Sequence, residues 1–448
     1  MNANSEPRRR ILIVGGGHVG LYTTLRLLKK LRDDEAVVTV VDPRSYMTYQ
    51  PFLAEAAGGS VSPRHVVVPL RRVLRGAEII TARVTSIDHA SRTAVIQPLE
   101  GSAYNLAYDQ LVMAVGAVSR TLPIPGLAEW ATGFKTVEEA IQLRNRVIEC
   151  LDIAESTHDD AIRARNLNFV FVGGGYAGVE ALAELEDMAR YATRYCRTIT
   201  PSDMHFYLVE ASDRILPEVG PEMGVWTLRQ LRKRGIDVKL DTRLESCVGG
   251  HIVLSDGSEF NAETVVWTAG VKPSPMLAFT GLPLNERGRL KANTAMQVEG
   301  STDAWGAGDG TAVPDLTSDE GLDCAPNAQH AVRQSKVLAD NIVASLRGRP
   351  VKQYRHKYVG SVAGLGLYKG VANVYGLHFK GLIAWFMHRS YHVTRVPTFN
   401  RKVRVIADWT LALVFKREIV SLWSMHQPFN EFHEAAKPNE AAPPPPAA

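Results

Sequence analysis

The chain has 448 residues, enough for two or three domains with buried cores, and its apolar and charged fractions (45% and 22%) are those of an ordinary globular protein. Its four cysteines, Cys150, Cys196, Cys247 and Cys324, include no C-x-x-C pair, which argues against a disulfide framework, a zinc site or a dithiol centre and fits a reducing compartment. The formal net charge is +4, but residues 351–433 hold 12 Lys/Arg against 3 Asp/Glu, so the basic excess belongs to the C-terminal segment and points to an anionic surface, either membrane or nucleic acid.

In chain order, the arginines at 8–10 precede an apolar run of only Ile11 to Val14, which suits a buried first strand better than the core of a signal peptide. Gly15, Gly17 and Gly20 follow in G-x-G-x-x-G spacing and open a helical pattern; Val37 to Val41 form a second strand, closed by Asp42. Each glycine answers a different physical need. Gly15 permits the tight turn, Gly17 the approach of backbone N–H groups to a diphosphate, and Gly20 the close packing of helix on strand. A phosphate there meets the unpaired N–H groups and the positive end of the helix dipole. Asp42 lies 22 residues beyond Gly20, where an acid reaches a ribose hydroxyl. Tyr46, Tyr49 and Phe52 fall in the next loop, where they either stack on a flat ring or pack the loop itself. Residues 83–87 and 93–96 read as paired strands. Residues 109–116, DQLVMAVG, are an apolar strand with Ala114 and Gly116 at its end, followed by a crossing linker around Pro123 and Pro125.

A helix is expected over 137–154, and then the opening motif recurs. Residues 168–172 are a strand, Gly173, Gly175 and Gly178 repeat the spacing, a long helix follows, and the strand at 205–209 ends at Glu210. Two such units imply two bound dinucleotides. The 32 residues from Gly178 to Glu210 point to a longer helix and a loop at 198–202. Glu210 would repel a 2′-phosphate and so favours NAD(H) over NADP(H), with Arg214 near enough to soften the preference. Glu180 is expected in the first turn of the second helix, either beside the pocket or as a partner of the helix dipole. Residues 262–270, AETVVWTAG, echo the earlier alanine–glycine strand end and mark a return crossing. In 302–310, TDAWGAGDG, Asp309 either reaches a sugar or ribityl hydroxyl or makes a plain Asp-Gly turn. A helix follows from Asn327 to Ser345, and glycine-rich strands over 350–374.

From Leu382 the texture changes. Trp385, Phe386, Trp409, Leu413, Phe415 and Trp423 alternate with Arg389, Arg395, Arg401, Lys402, Arg404, Lys416 and Arg417, and Pro397 divides two helical stretches. No stretch nears the roughly 18 apolar residues of a membrane span. Basic, aromatic-rich helices of this length suit an interfacial anchor, the alternative being a dimer interface. The tail from Glu434, ending APPPPAA, reads as disordered.

Two G-x-G-x-x-G units, two alanine-strand-glycine crossings and the G-x-G-D at 306–309 together resemble the two-dinucleotide-binding flavoproteins. The loop Tyr49-Gln50-Pro51-Phe52-Leu53, Ala328-Gln329 at the start of a helix, and the basic C-terminal helices make the chain similar, more narrowly, to the type II NADH dehydrogenases. The resemblance implies an α/β fold of two Rossmann-like domains, for FAD and NADH, with a C-terminal amphipathic helical membrane-anchoring segment. The parts would be 1–136 and 271–350 for FAD, 137–270 for NADH, 351–433 for the C-terminal domain and 434–448 for the tail. Gly15, Gly17, Gly20, Asp42, Ala114, Gly116 and Asp309 would hold FAD; Gly173, Gly175, Gly178, Glu180 and Glu210 would hold NADH; Glu180 and Gln329 would shape the two ring faces, Gln329 beside the quinone. The implied activity is non-proton-pumping hydride transfer from NADH to FAD and then electron transfer to a membrane quinone, on the cytoplasmic face of the membrane, with a homodimer as an option and no nucleic acid.

Two positions depart from the family. Arg333 stands where it has a second glutamine, with Gln334 one place late, and Val359 where it has a lysine, with Lys357 as the nearest substitute. They leave the acceptor open. The alternatives are a soluble NAD(P)H:acceptor reductase of ferredoxin-reductase type, a sulfide:quinone oxidoreductase, for which Cys324 has no partner cysteine after it, and a nucleic-acid-binding redox switch, against which the interleaved Trp, Leu and Val favour lipid.

Overall fold

The computed structural model describes residues 8–318, 321–357 and 359–421. Strand β1 (Arg9–Val14) turns through the first glycine run into helix α1 (His18–Lys30) and on to β2 (Ala36–Asp42), parallel to β1. A short helix α2 (Leu53–Ala57) lies in the loop that follows. Strand β3 (Glu78–Asp88) runs parallel to β2, then pairs antiparallel with β4 (Thr93–Pro98), which pairs with β5 (Tyr104–Ala107). Strand β6 (Gln110–Met113) returns beside β1, with Val112 opposite Ile13. Ile11, Leu12 and Ile13 are fully buried. A central parallel strand is covered on both faces, so its sequence shows no alternation.

The chain leaves this sheet through β7 (Ala117–Ser119) and β8 (Thr132–Gly133) to helix α3 (Val137–Ser156). That helix opens on a capping box: the Glu139 N–H donates to Thr136 Oγ1, and the Thr136 N–H donates to the Glu139 carboxylate. The second unit repeats the first, with β9 (Asn168–Val172), helix α4 (Tyr176–Ala192) and β10 (His205–Val209). With β11 (Asp237–Lys239) and β12 (Thr264–Trp267) it forms a five-stranded parallel sheet in the order β8-β12-β9-β10-β11. The long interval before Glu210 comes from α4, 17 residues against 13 in α1, and from a 3-10 turn at Thr193–Tyr195. Strand β13 (Val271–Pro273) then lies antiparallel to β7, with Val271 opposite Ser119. Outgoing and returning crossings are thus one two-stranded ribbon, which ties the two sheets together.

Strand β14 (Ala304–Gly306) joins β6 and completes a seven-stranded sheet, β14-β6-β1-β2-β3-β4-β5. Its Trp305 is fully buried and donates Nε1–H to Gln110 Oε1 at 2.8 Å. Helix α5 (Ala328–Leu346), capped by Asn327, packs on α1, and Arg26 forks onto Asp340 at 2.6 and 2.7 Å. The last part is an antiparallel sheet of β15 (Gly360–Gly364), β16 (Gly370–Val374) and β17 (Leu377–Lys380), followed by helices α6 (Leu382–Arg395) and α7 (Phe399–Phe415).

Pro397 divides α6 from α7 as the sequence predicts, but two of the aromatics face the other way. Trp385 and Trp409 turn inward. The Arg389 guanidinium lies 4.0 Å from the Trp385 ring centroid and 4.7 Å from that of Trp409, and Trp409 Nε1–H donates to Glu55 Oε2 at 2.6 Å. The reason is charge burial: Arg389 and Glu55 are nearly inaccessible, and the two rings exclude water from their ion pair. Ile383, Phe386, Phe399, Val403 and Ile406 make the exposed apolar face instead. No helix among the described residues is long and apolar enough to cross a membrane. Trp423 and the tail from Glu434 lie outside the described residues.

Candidate functional site: two glycine turns and the junction between them

At the first turn a Cβ on Gly20 would stand 1.8 Å from the Gly15 carbonyl oxygen, and one on Gly15, whose φ is +104°, would stand 2.5 Å from the Ala114 oxygen. Both glycines are demanded by the protein itself. Gly17 is not: its φ of −69° suits any residue, and a Cβ there would meet no atom within 4 Å. The fold itself sets no steric requirement for glycine at that place. The second turn repeats the pattern. A Cβ on Gly178 would lie 1.9 Å from the Gly173 oxygen, Gly173 has φ +114°, and Gly175, at φ −75°, faces open space.

Both turns feed helices whose N-caps, Gly17 and Gly175, offer no side-chain cap, and neither helix has an acid in its first turn. The first N–H groups of α1 and α4 therefore point outward unpaired by side chains, beside the positive helix ends, which suits a diphosphate. This corrects the sequence reading of Glu180, which sits beyond the first turn and so serves no dipole there.

The two acids also match. Asp42 Oδ2 accepts the Gly16 N–H at 2.7 Å and Oδ1 the Arg44 N–H at 2.7 Å; Glu210 Oε2 accepts the Gly174 N–H at 2.5 Å and Oε1 the Ser212 N–H at 2.8 Å. Each carboxylate is locked to its own glycine turn by one oxygen. Burial raises the Asp42 pKa, and the Gly16 and Arg44 N–H bonds oppose it. Ala114 and Gly116 lie at the end of β6, where the Ala114 oxygen touches the turn. Asp309 follows β14 and faces Lys135 and Arg289; burial raises its pKa and those two cations oppose the rise. The first turn, with Asp42 locked to it, leaves open backbone beside an uncapped helix end, the space and donors that the diphosphate and ribose of a dinucleotide such as FAD require. Gly173–Gly178 with Glu210 offers the same features for a second dinucleotide.

Sequence reasoning underrated Gln334, taken as a displaced glutamine. It is buried, and its Oε1 accepts the Gly308 N–H at 2.8 Å, bracing the loop that carries Asp309. Gln329 lies a turn and more earlier on α5. Its Nε2–H donates to the Gly360 oxygen at 3.2 Å, its Oε1 accepts the Val359 N–H at 3.3 Å, and His356 Nε2 is 3.1 Å from the same oxygen. Val359, in the lysine's place, thus contributes its backbone, while Lys357 is exposed. Of the loop aromatics, Tyr49 and Phe52 pack on α6 and α7 through His392 and Trp409, and Tyr46 donates to Glu138, so they pack protein. Cys324 is buried without another cysteine, its pKa pushed up to about 11 by burial.

Glu180 reaches the junction of the units. Its Oε1 accepts the Gly364 N–H at 2.8 Å and lies 3.2 Å from His388 Nε2. A small cavity there is lined also by Pro51, Ala54, Glu55 and Trp385. His388 escaped the sequence reading, although His388 and His392, four apart, share one helix face.

A family model for pyridine nucleotide-disulphide oxidoreductases matches residues 9–334. The chain is 29% identical over 436 residues to a type II NADH:quinone oxidoreductase of Mycobacterium tuberculosis, covering 93% of this chain and 92% of the relative. It is 28% identical over 394 residues to a type II NADH:quinone oxidoreductase of Staphylococcus epidermidis, covering 86% and 94%. Among solved structures, NDH2 from Plasmodium falciparum in complex with NADH superposes with a TM-score of 0.84 at 16% identity, covering 92% of this chain and all of that one, which speaks for the fold. With paired glycine turns, joined sheets and matches of this extent, the chain belongs to the pyridine nucleotide-disulphide oxidoreductase family, on its type II NADH:quinone oxidoreductase branch.

Proposed function

We propose that the chain binds FAD at the first glycine turn and NADH at the second, and works as a non-proton-pumping NADH:quinone oxidoreductase at a membrane surface. One observation carries the reading: each turn keeps one glycine, Gly17 or Gly175, that the protein has no steric need for, beside an uncapped helix end. FAD, once bound, supplies the hydride and electron chemistry between nicotinamide and quinone. The chain's part is placement. Asp42 and Asp309 hold the ribose and ribityl ends of the flavin dinucleotide, Glu210 the adenosine ribose of NADH, and Glu180 stands where the two units meet. Gln329, by ordering residues 356–360, shapes the acceptor side.

The two sheets and the ribbon between them support a division into 1–136 with 271–350 for FAD and 137–270 for NADH. The membrane reading is supported by the exposed apolar side chains of α6 and α7, where Phe399 is 80% and Ile383 62% exposed, and by Arg395 and Arg404, exposed on the same two helices. Apolar side chains ringed by cations insert into an anionic leaflet without spanning it. On this reading the protein works on the cytoplasmic face of the membrane, a side that supplies NADH. A soluble carrier reductase would not need that face.

The purified yellow protein is expected to oxidise NADH with menaquinone or ubiquinone analogues and to float with anionic vesicles. Absence of flavin after denaturation, or activity with a soluble carrier alone and no vesicle binding, would end the proposal. Glu210→Gln keeps an oxygen for the Gly174 N–H but removes the charge that repels a 2′-phosphate. Its kcat/KM for NADPH should rise about tenfold relative to that for NADH. An unchanged ratio in steady-state assays would assign the discrimination elsewhere.

A further inference from the structure

Resting on the oxidoreductase reading, we propose that His388 of helix α6 is a positioning residue of the site: its ring nitrogen fixes where the Glu180 carboxylate stands at the junction of the two nucleotide units.

The geometry is local and specific. Glu180 Oε1 accepts the Gly364 N–H at 2.8 Å and lies 3.2 Å from His388 Nε2, an ion-pair contact without hydrogen-bond alignment, which leaves Oε2 outside both contacts. His388 is 3% exposed, so its charge is neither screened nor replaced by water. The neighbouring charges are otherwise engaged. Glu55 of α2 is paired with Arg389 and bonded by Trp409, and Glu184 of α4 is paired with Arg417. Glu180 is the carboxylate that remains for His388. Val359, close in the chain to the Gly360–Gly364 strand, donates its N–H to Gln329 and supplies no charge.

The protonation states agree with this arrangement. Burial alone would lower the His388 pKa; the contact with Glu180, with Glu55 adding to it, overrides burial and puts it above 6.5, while Arg389 opposes the rise. His392, whose ring centroid lies 4.6 Å from that of His388, is held well below 6.5 by burial and by the His388 charge, so it stays neutral. The sign follows. The cation is present below pH 6.5 and is lost as the pH rises through the folded value. Once it is lost, the half-buried Glu180 side chain has only the Gly364 N–H to hold it, and its place at the junction loosens.

The test uses the flavin-loaded, full-length enzyme. With histidine 13Cε1 labelling, the His388 resonance should titrate above 6.5 in the unsubstituted protein and below 6.5 in Glu180→Gln. In parallel, kcat/KM for NADH should show an alkaline limb. His388→Gln should lower kcat/KM about tenfold near neutral pH and abolish that limb. His388→Lys should restore much of the activity and carry the limb to higher pH. An equal His388 titration with and without the Glu180 charge overturns the proposal, even if His388→Gln fails to fold. So does an alkaline limb that His388→Gln leaves in place. If the enzyme oxidises NADH but reduces no quinone, the functional reading fails on its own, and the titration still decides the role of His388.

Discussion

Gly175→Val is expected to give a yellow, folded protein that no longer oxidises NADH, whereas Gly17→Val is expected to give a folded protein that retains no flavin. Both glycines have extended backbone angles that valine accepts, and neither site holds a protein atom within 4 Å of a new Cβ. The added isopropyl group therefore occupies only the space where a diphosphate must approach the helix N–H groups. Loss of that approach should weaken binding at least a hundredfold, or about 2.8 kcal/mol. For Gly175→Val the chemistry downstream stays intact, so dithionite must still bleach the flavin and quinone must still reoxidise it. Absorbance of bound flavin per mole of protein and NADH-dependent bleaching separate the two sites. Gly20→Ala and Gly178→Ala differ in kind, because there a Cβ meets backbone oxygen at 1.8 and 1.9 Å and the fold itself must give. Should Gly175→Val bleach with NADH at the normal rate, the second turn is not the NADH site.

That division is the one the motif assigns, Gly15 to the turn, Gly20 to close packing and Gly17 to open approach, and the clearances at the three positions agree with it. The spacing did carry a great deal. Both strand–turn–helix units, the acids Asp42 and Glu210 at the ends of the following strands, and the two crossings lie where the sequence puts them. Each depends on residues close in the chain and on backbone geometry that only glycine or an apolar strand satisfies. What the sequence left undecided depends on partners far along the chain. Glu180 looks like a helix-end acid until Gly364 and His388 arrive from the C-terminal sheet and helix. Trp385 and Trp409 look like lipid-facing aromatics because composition cannot say which side of a helix faces Arg389. Gln334, one position late by pattern, proves to brace Gly308, since residues one apart on a helix lie about 100° around it and face different surroundings.

The same long-range dependence makes Arg417 a side chain whose removal should cost several kcal/mol of stability. It follows α7 and closes the described C-terminal segment onto the nucleotide-binding units: Nη1 donates to the Gly58 and Glu184 carbonyls, both at 3.0 Å, and lies 2.9 Å from Glu184 Oε2. Glu184 is 4% exposed, on the inner face of α4. Burial raises its pKa, Arg417 pulls it back, and Glu55 and Asp187 push it up again. Arg417→Ala removes the cation and leaves a buried carboxylate among like charges, a change that costs about 3–5 kcal/mol. The variant should melt well below the parent at pH 8. A carboxyl that binds its proton more tightly folded than unfolded gains stability as the pH falls, so the deficit should shrink between about pH 8 and 5. Glu184→Leu with Arg417→Met removes both charges and should recover most of the loss. Calorimetry of the three proteins across that range reads both effects. Because Arg417 also ends the strap that follows α7, limited proteolysis should cut the single variant beyond Phe415 first, while the double variant resists. A pH-independent deficit would mean that the guanidinium acts through its two carbonyl bonds, and that Glu184 is already protonated in the parent.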